Sequence, residues 1–147
     1  MDNNDLVVKE VFMNFKEYLI SAKSSDPKVV AEEFKANFKL MESLDDVTAM
    51  TDLIVYICGE KLGEWEKGLE LLKKLKNNAQ IPDKAHMNRS VAILQLGNNP
   101  NTSIENFSSE DQIVIYTSVA AAIKNLGGVK NAEKLLMKAE NLKNNLP

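Results

Sequence analysis

The sequence predicts an all-α protein of seven or eight helices. Apolar residues recur at spacings of three and four along most of the chain, which is the pattern of helices with one buried face. Nowhere does an alternation of apolar and polar residues, flanked by turn residues, indicate a strand. Glycine, proline and asparagine stand where the helical pattern breaks, so they separate the predicted helices. A chain of 147 residues is long enough for one domain with a buried core.

Residues 1–44 are predicted to form a pair of helices. The first helix, over residues 5–23, places most of its apolar side chains on one face. Asp26 and Pro27 are residue types preferred at an N-cap and at the first helical position, so they should begin the second helix. That helix is expected to end near Ser43.

Two more helices are predicted over residues 47–62 and 64–76. The earlier one is apolar on almost every side, which predicts a buried helix that ends at Gly63. The later one is amphipathic, with Trp65 and its leucines on the inner face and its lysines outside.

A fifth helix is predicted over residues 82–96, where Gly97 should stop it. The asparagines and proline at 98–101 then predict a turn. Residues 102–107 leave room for little more than one turn of helix, so this is the shortest predicted element.

The most apolar helix is predicted within residues 109–142. Ser109 and Gln112 have the spacing of a capping box, and the apolar run after them predicts a central helix with neighbours on nearly every side. Two glycines at 127–128 break it, and a second helix with one apolar stripe begins at about Val129. Two helices joined by so tight a turn predict an antiparallel hairpin.

The dipeptide Leu-Gly occurs three times, at residues 62–63, 96–97 and 126–127. Each copy lies between a very apolar helix and the following helix. The first two copies are 34 residues apart, which is the period of the tetratricopeptide repeat. The next spacing is 30 residues, as expected if one helical turn has been deleted there.

Residues 116–139 resemble a tetratricopeptide repeat. Because small residues let two helices approach closely, Ala120 is expected to face Ala132. The resemblance is carried by an early aromatic residue, by apolar and small residues at the contact positions, and by a glycine at the turn: Tyr116, Val119, Ala120, Ile123, Gly127, Ala132, Leu136 and Ala139.

Two further segments resemble the repeat in part. Residues 52–75 carry the turn glycine and an aromatic residue after it, although Tyr56 stands where the repeat has a small residue. Gly68 is expected to lie opposite Tyr56 and to compensate for its volume. Residues 86–102 have small residues at the matching positions but lack most of the second helix.

The resemblance implies an α-solenoid of antiparallel hairpins over residues 45–147, preceded by the helix pair at 1–44. In such arrays the first helix of each hairpin lines a concave groove. The groove would be apolar, and its methionines could adapt to differently shaped ligands. Its predicted lining residues are Met50, Leu53, Ile57, Met87, Val91, Leu94, Val114, Thr117 and Ala121.

An apolar groove of this kind is expected to hold an amphipathic helix or an extended apolar segment of another protein. The resemblance therefore implies a non-enzymatic interaction module, such as an adaptor or a chaperone. Three alternatives stay open. The apolar positions could form a closed core, the chain's own first helix could fill the groove, or the groove could form a homodimer.

Composition argues against nucleic-acid and membrane partners. The net charge is −3, and Arg89 is the one arginine among 18 basic residues, whereas phosphate and base recognition uses the arginine fork. No apolar run reaches the roughly 18 to 20 residues of a membrane span. A single cysteine and a polar amino terminus without a secretory signal predict a cytoplasmic protein.

No catalytic, cofactor or metal site is expected. His86 is the only histidine, and no residues around it have the spacing of a metal site. Cys58 lies on a predicted buried helix without a nearby base, so its thiol should be inert. The competing hypothesis is a small ligand-binding or catalytic domain with a polar site around His86 and Arg89.

Overall fold

A computed structural model describes residues 3–21 and 47–146, and all regular structure in these two ranges is helical. The prediction of an all-α fold is therefore confirmed. The helices are α1 (Asn3–Ser21), α2 (Val47–Ile54), which continues as a π-helical segment (Val55–Lys61), α3 (Trp65–Asn78), α4 (Lys84–Asn98), α5 (Ser109–Asn125) and α6 (Val129–Asn144).

Six helices lie in the described ranges, fewer than the seven or eight predicted. The predicted helix at 27–43 lies outside the described residues. The short helix predicted at 102–107 is wrong, because this stretch is an irregular loop. The Thr102 hydroxyl donates to the carbonyl oxygen of Asn99 at 2.7 Å, and Ile104 anchors the loop by burying its side chain.

Two buried apolar clusters lie on different sides of α4. The first cluster joins the apolar face of α1 to α2, the π segment and α3, and α4 contributes Met87 and Leu94 to it. The second cluster joins α5, α6 and the loop after α4, and α4 contributes Ala92 and Leu96. Since α4 packs on both sides, it is the element that connects the two clusters.

Helix α5 has an exposed side, although the sequence predicted neighbours on nearly every side. Ile115, Val119 and Ala120 are buried in the second cluster. Val114, by contrast, is 47% exposed, and Ala121 is also exposed. The central position predicted for α5 is therefore taken by α4, which packs on both clusters.

The three Leu-Gly dipeptides do not share one structural role. Gly63 and Gly127 have positive φ angles of 65° and 97°, and each lies just beyond a helix end, where glycine is favoured. Gly97 was predicted to stop a helix, but α4 continues through it. A Cβ atom built on Gly97 would lie 2.4 Å from Cε3 of Trp65, so the glycine is explained by packing.

The Trp65 indole packs against two glycines from different helices. A Cβ atom on Gly59 would lie 2.9 Å from Cζ3 of this ring, and Gly97 meets the ring still more closely. Gly68 was expected to lie opposite Tyr56, but this prediction is wrong. The nearest side-chain atoms to a Cβ on Gly68 belong to Leu94 and Cys58, at 2.9 and 3.0 Å.

The end of α5 contacts the end of the π segment directly. The Asn125 side chain donates from Nδ2 to the carbonyl oxygen of Glu60 at 2.8 Å, and the Leu126 side chain lies against Gly63. In an ideal solenoid each repeat contacts only its neighbours. This contact joins the first and the last of the three segments that resemble a repeat, so these helices pack together more closely than the repeats of an ideal solenoid would.

Ala120 and Ala132, which were expected to face each other, are both buried in the second cluster.

Two side chains near the start of α3, Cys58 and Tyr18, have raised pKa values. Burial raises the pKa of the Cys58 thiol to about 12, and the nearby Glu64 carboxylate adds to this shift while Lys67 opposes it. Burial also raises the pKa of the Tyr18 phenol to about 12, with further contributions from the Glu64 charge, Cys58 and a hydrogen bond to Glu64. Both groups therefore favour their neutral forms in the folded protein.

These raised pKa values predict a loss of stability at alkaline pH. The ordinary pKa values are 9.0 for cysteine and 10.0 for tyrosine, so the unfolded chain loses these protons first. Since the folded state then binds more protons, the contribution of these two groups to the unfolding free energy should be constant below about pH 9 and fall as the pH rises to about 12. Urea unfolding between pH 7 and 11 measures this fall.

Tyr18→Phe should make the alkaline fall shallower, because it removes one of the protons that the unfolded chain loses before the folded protein does. Unfolding at pH 7 is the control, since any loss of the hydrogen bond to Glu64 affects stability there without ionisation. An equally steep fall in both proteins would contradict the prediction.

Candidate functional site

Five of the nine predicted groove residues are core residues in the structure. They belong to the first cluster, and the apolar face of α1, including Phe12 and Phe15, packs into the same cluster. This placement matches the alternatives in which these positions form a closed core and the first helix packs over them, because side chains of α1 and α3 lie in the same cluster. Each of the five is at most 4% exposed: Met50, Leu53, Ile57, Met87 and Leu94.

The other four predicted groove residues lie at two different places. Val91 of α4 is half-buried and packs against the first cluster. Val114 and Ala121 are exposed on α5, and Thr117 beside them is half-buried. The Thr117 hydroxyl donates to the carbonyl oxygen of Ile113 at 2.8 Å, so its hydrogen-bonding capacity is used within the helix. The structure therefore does not bring the nine residues together into one surface.

A cleft of about 500 Å³ lies along α4, and Val91 is the one predicted groove residue that lines it. One wall is a stripe on α4, and the other is the end of the loop that leads into α5. Together the walls present apolar, amide and hydroxyl groups and one carboxylate. The lining residues are Ala85, Asn88, Val91, Ala92, Gln95, Asn106, Phe107, Ser108 and Asp111.

The cleft exists because α4 is followed by a loop instead of a helix. Helix α3 follows the π segment and packs on it, and α6 follows α5 and packs on it. After α4, residues 99–108 form an irregular connection whose Ile104 is buried in the second cluster. A loop of this length leaves part of the α4 surface uncovered.

The loop wall is fixed by hydrogen bonds at the start of α5. The Ser108 side chain accepts from the backbone N–H of Asp111 at 3.1 Å, which makes Ser108 the N-cap. The Gln112 side chain donates from Nε2 to the carbonyl oxygen of Phe107 at 2.8 Å. The predicted capping box placed the N-cap one residue later, at Ser109, so its position was wrong by one residue.

The walls of the cleft are suited to a ligand with both polar and apolar groups. Asn88, Gln95 and Asn106 present primary amides, each of which can donate and accept hydrogen bonds. Val91 and Phe107, both half-buried, supply apolar surface between these amides. Sequence reasoning missed most of these residues, although the shortened segment after Gly97 was a usable signal that α4 would lack a covering helix.

His86 and Arg89 do not form one polar site. His86 Nε2 lies 2.7 Å from Oδ1 of Asp52 on α2, whereas Arg89 Nη1 lies 3.6 Å from Oδ1 of Asp111 on α5. The His86–Asp52 pair is on the surface, and the Asp52 side chain is 62% exposed. Ser90, one turn along, is buried and its hydroxyl donates to the His86 carbonyl oxygen at 2.9 Å. These two contacts therefore join α4 to its neighbours.

Three further observations bear on the kind of site. Cys58 is fully buried, and its raised pKa keeps the thiol protonated near neutral pH. Among residues 3–21 and 47–146, no group of three or more histidine, cysteine or acidic side chains is placed to hold a metal ion. None of the helices in the same ranges is long and apolar enough to cross a membrane.

Comparison with known proteins does not assign this chain to a family, so its class is described from the fold alone. No protein-family model matches the chain, and neither a curated protein nor a solved structure matches it. The described residues thus define an all-helical domain with two apolar clusters and a cleft between a helix and a loop.

Proposed function

We propose that this protein is a non-enzymatic interaction domain whose cleft along α4 binds a short segment of another protein. The observation that carries the proposal is the uncovered stripe of α4, where amides and apolar side chains alternate beside the loop at 106–108. A surface that is neither wholly apolar nor strongly charged matches a peptide better than a lipid or a nucleic acid, which require apolar or basic surfaces.

The length of the stripe sets the length of the bound segment. Ala85 and Gln95 are at its two ends. At 1.5 Å per helical residue they are about 15 Å apart along the axis. An extended chain advances about 3.3 Å per residue, so about four or five residues of a partner fit alongside α4.

The amides of the cleft can pair with the backbone of such a segment. A peptide group offers one N–H donor and one carbonyl acceptor, and a primary amide can satisfy both. Asn88 and Gln95 are exposed on α4, and Asn106 is exposed opposite them. The apolar part of one side chain of the partner would pack on Val91 and Phe107 and release water from them.

The resemblance to tetratricopeptide repeats would explain why part of α4 is uncovered. In an array of antiparallel hairpins, α2 with the π segment pairs with α3, and α5 pairs with α6. Helix α4 would then be the first helix of a hairpin that has lost its second helix, and the partner segment would occupy part of the vacated space. On this proposal the protein acts as a cytoplasmic adaptor or chaperone that holds a segment of its partner.

The competing hypothesis of a catalytic or ligand-binding site at His86 and Arg89 has less support. The two side chains pair with carboxylates on different helices, Asp52 on α2 and Asp111 on α5. The hydroxyl of Ser90 is already bonded to a backbone carbonyl. Contacts within the protein therefore explain the positions of both basic side chains, and no substrate is needed to explain them.

Selection of binding peptides tests the proposed function. A displayed library of random dodecapeptides is selected on the purified protein, and each recovered peptide is titrated into ¹⁵N-labelled protein. We expect the largest shifts at the backbone amides of α4 and residues 106–108. The double variant Asn88→Ala with Gln95→Ala should bind about tenfold more weakly, because it removes about two hydrogen bonds.

The matched control is Lys73→Ala with Lys74→Ala, which also changes two exposed helical side chains but lies on α3. It should leave peptide affinity unchanged. Failure to recover any peptide, or shifts centred away from the cleft, would overturn the proposed function.

A further inference from the structure

We infer that the cleft selects a partner segment carrying a single lysine or arginine, whose charge is bound by Asp111. This inference rests on the proposed function and specifies its partner. Of the residues that line the cleft in the described part of the chain, Asp111 is the one with an acidic or basic side chain. A cation on the segment can therefore bind this carboxylate, whereas an acidic segment finds no basic side chain among the lining residues.

The carboxylate of Asp111 is only weakly engaged by the protein itself. Its contact with Arg89 is 3.6 Å long, whereas a charge-assisted N–H···O bond is about 2.7 to 2.9 Å. Arg89 is not among the residues that line the cleft. A carboxylate has two oxygens and about four acceptor sites, which leaves room for a second cation.

The position of Asp111 is fixed by the backbone. Its N–H group donates to the Ser108 side chain, and the residue lies in the first turn of α5. The side chain is 37% exposed, so it is accessible without being fully surrounded by water. A helix start that is anchored in this way holds the carboxylate at one end of the apolar surface.

The apolar part of the cleft fits the stem of a basic side chain. Long basic side chains place their methylene groups on apolar surface and keep the charged end in a polar environment. Val91 and Phe107 would contact the stem while the charged end reaches Asp111. A neutral side chain of the same length would make the apolar contact and lose the charged hydrogen bond.

Two variants should change the selectivity in opposite directions. Asp111→Asn keeps the size of the side chain and the backbone cap, but removes the charge that attracts lysine or arginine. Arg89→Gln removes the competing cation and leaves Asp111 free for the ligand. We therefore expect weaker binding of a basic peptide to the first variant and tighter binding to the second.

The experiment uses the peptides recovered by selection on the wild-type protein. Each is resynthesised with its basic residue replaced by glutamine and by glutamate, and dissociation constants are measured by isothermal titration for the wild type, Asp111→Asn and Arg89→Gln. For the wild type we expect about a fivefold to tenfold loss with glutamine and a larger loss with glutamate. Asp111→Asn should remove most of this preference, and Arg89→Gln should increase it about twofold or more. Circular dichroism checks that each variant is folded.

The failure of this inference can be told apart from failure of the proposed function. Recovered peptides that shift the cleft amides but lack a basic residue, or that bind equally after its replacement, overturn the inference alone. The same holds if Asp111→Asn keeps the full preference for the basic peptide. If no peptide binds at the cleft, both proposals are wrong.

Discussion

Leu53→Asp is expected to lower the unfolding free energy by about 3 to 5 kcal/mol, because it leaves an unpaired charge in a buried apolar cluster. Leu53 is 4% exposed and lies in the first cluster with residues of α1 and α3. Domains of this kind are stable by about 5 to 15 kcal/mol, so the loss is a large part of the total. The thermal midpoint should fall by roughly 10 °C or more, or the cooperative transition should disappear.

Val114→Asp is the matched control for this prediction. Both positions were predicted to line the same groove, and both variants replace an apolar side chain by aspartate on a helix. Val114 is 47% exposed, so its replacement should change stability by about 0.5 kcal/mol or less. Thermal unfolding followed by circular dichroism compares the two. A folded Leu53→Asp protein with a wild-type midpoint would show that position 53 is an open surface after all.

Gly97→Ala is expected to destabilise the protein by about 1 to 3 kcal/mol, although alanine normally favours a helix over glycine. Three atoms of the Trp65 ring would lie 2.4, 2.5 and 2.6 Å from the added Cβ atom. These distances are far below ordinary contact, and the ring is rigid. Either the indole leaves its place against α4, or α4 moves away from α3.

A double-mutant cycle with Trp65→Leu separates this clash from other effects. In the Trp65→Leu background the added methyl group should cost much less, because a smaller and flexible side chain can yield. Urea unfolding followed by circular dichroism measures all four proteins. Asn98→Ala, next in the same helix and exposed, is the control and should have little effect. An equal cost of Gly97→Ala in both backgrounds would contradict the proposed clash.

Much of the fold could be predicted from the sequence because its signals are local. Helix α5 begins at Ser109 and ends at Asn125, within the predicted range, since capping residues and a turn glycine act on their immediate neighbours. Gly127 was correctly placed at a break for the same reason, and its positive φ angle requires a residue such as glycine. Even there the N-cap was missed by one residue, because Ser108 and Ser109 have the same capping chemistry.

The candidate site could be predicted only in part. Val91 was predicted to line a concave groove together with eight other residues, and in the structure it is the one of them that lines the cleft. Asp111 and Phe107 were missed, because they reach the cleft through the path of the loop and not through any periodic pattern. Likewise the sequence placed His86 and Arg89 near each other, but could not show that their carboxylate partners lie on different helices.

By itself the sequence determined that this chain forms helices, where most of them begin and end, and which side of each is apolar. These properties depend on hydrogen bonds and side-chain contacts within a few residues, so they can be read from spacing. Only the tertiary structure decided that Leu53 is covered while Val114 is not, and that Gly97 meets an indole instead of ending a helix. Whether an apolar face is core or surface depends on which distant segment packs on it, and local periodicity carries no information about that partner.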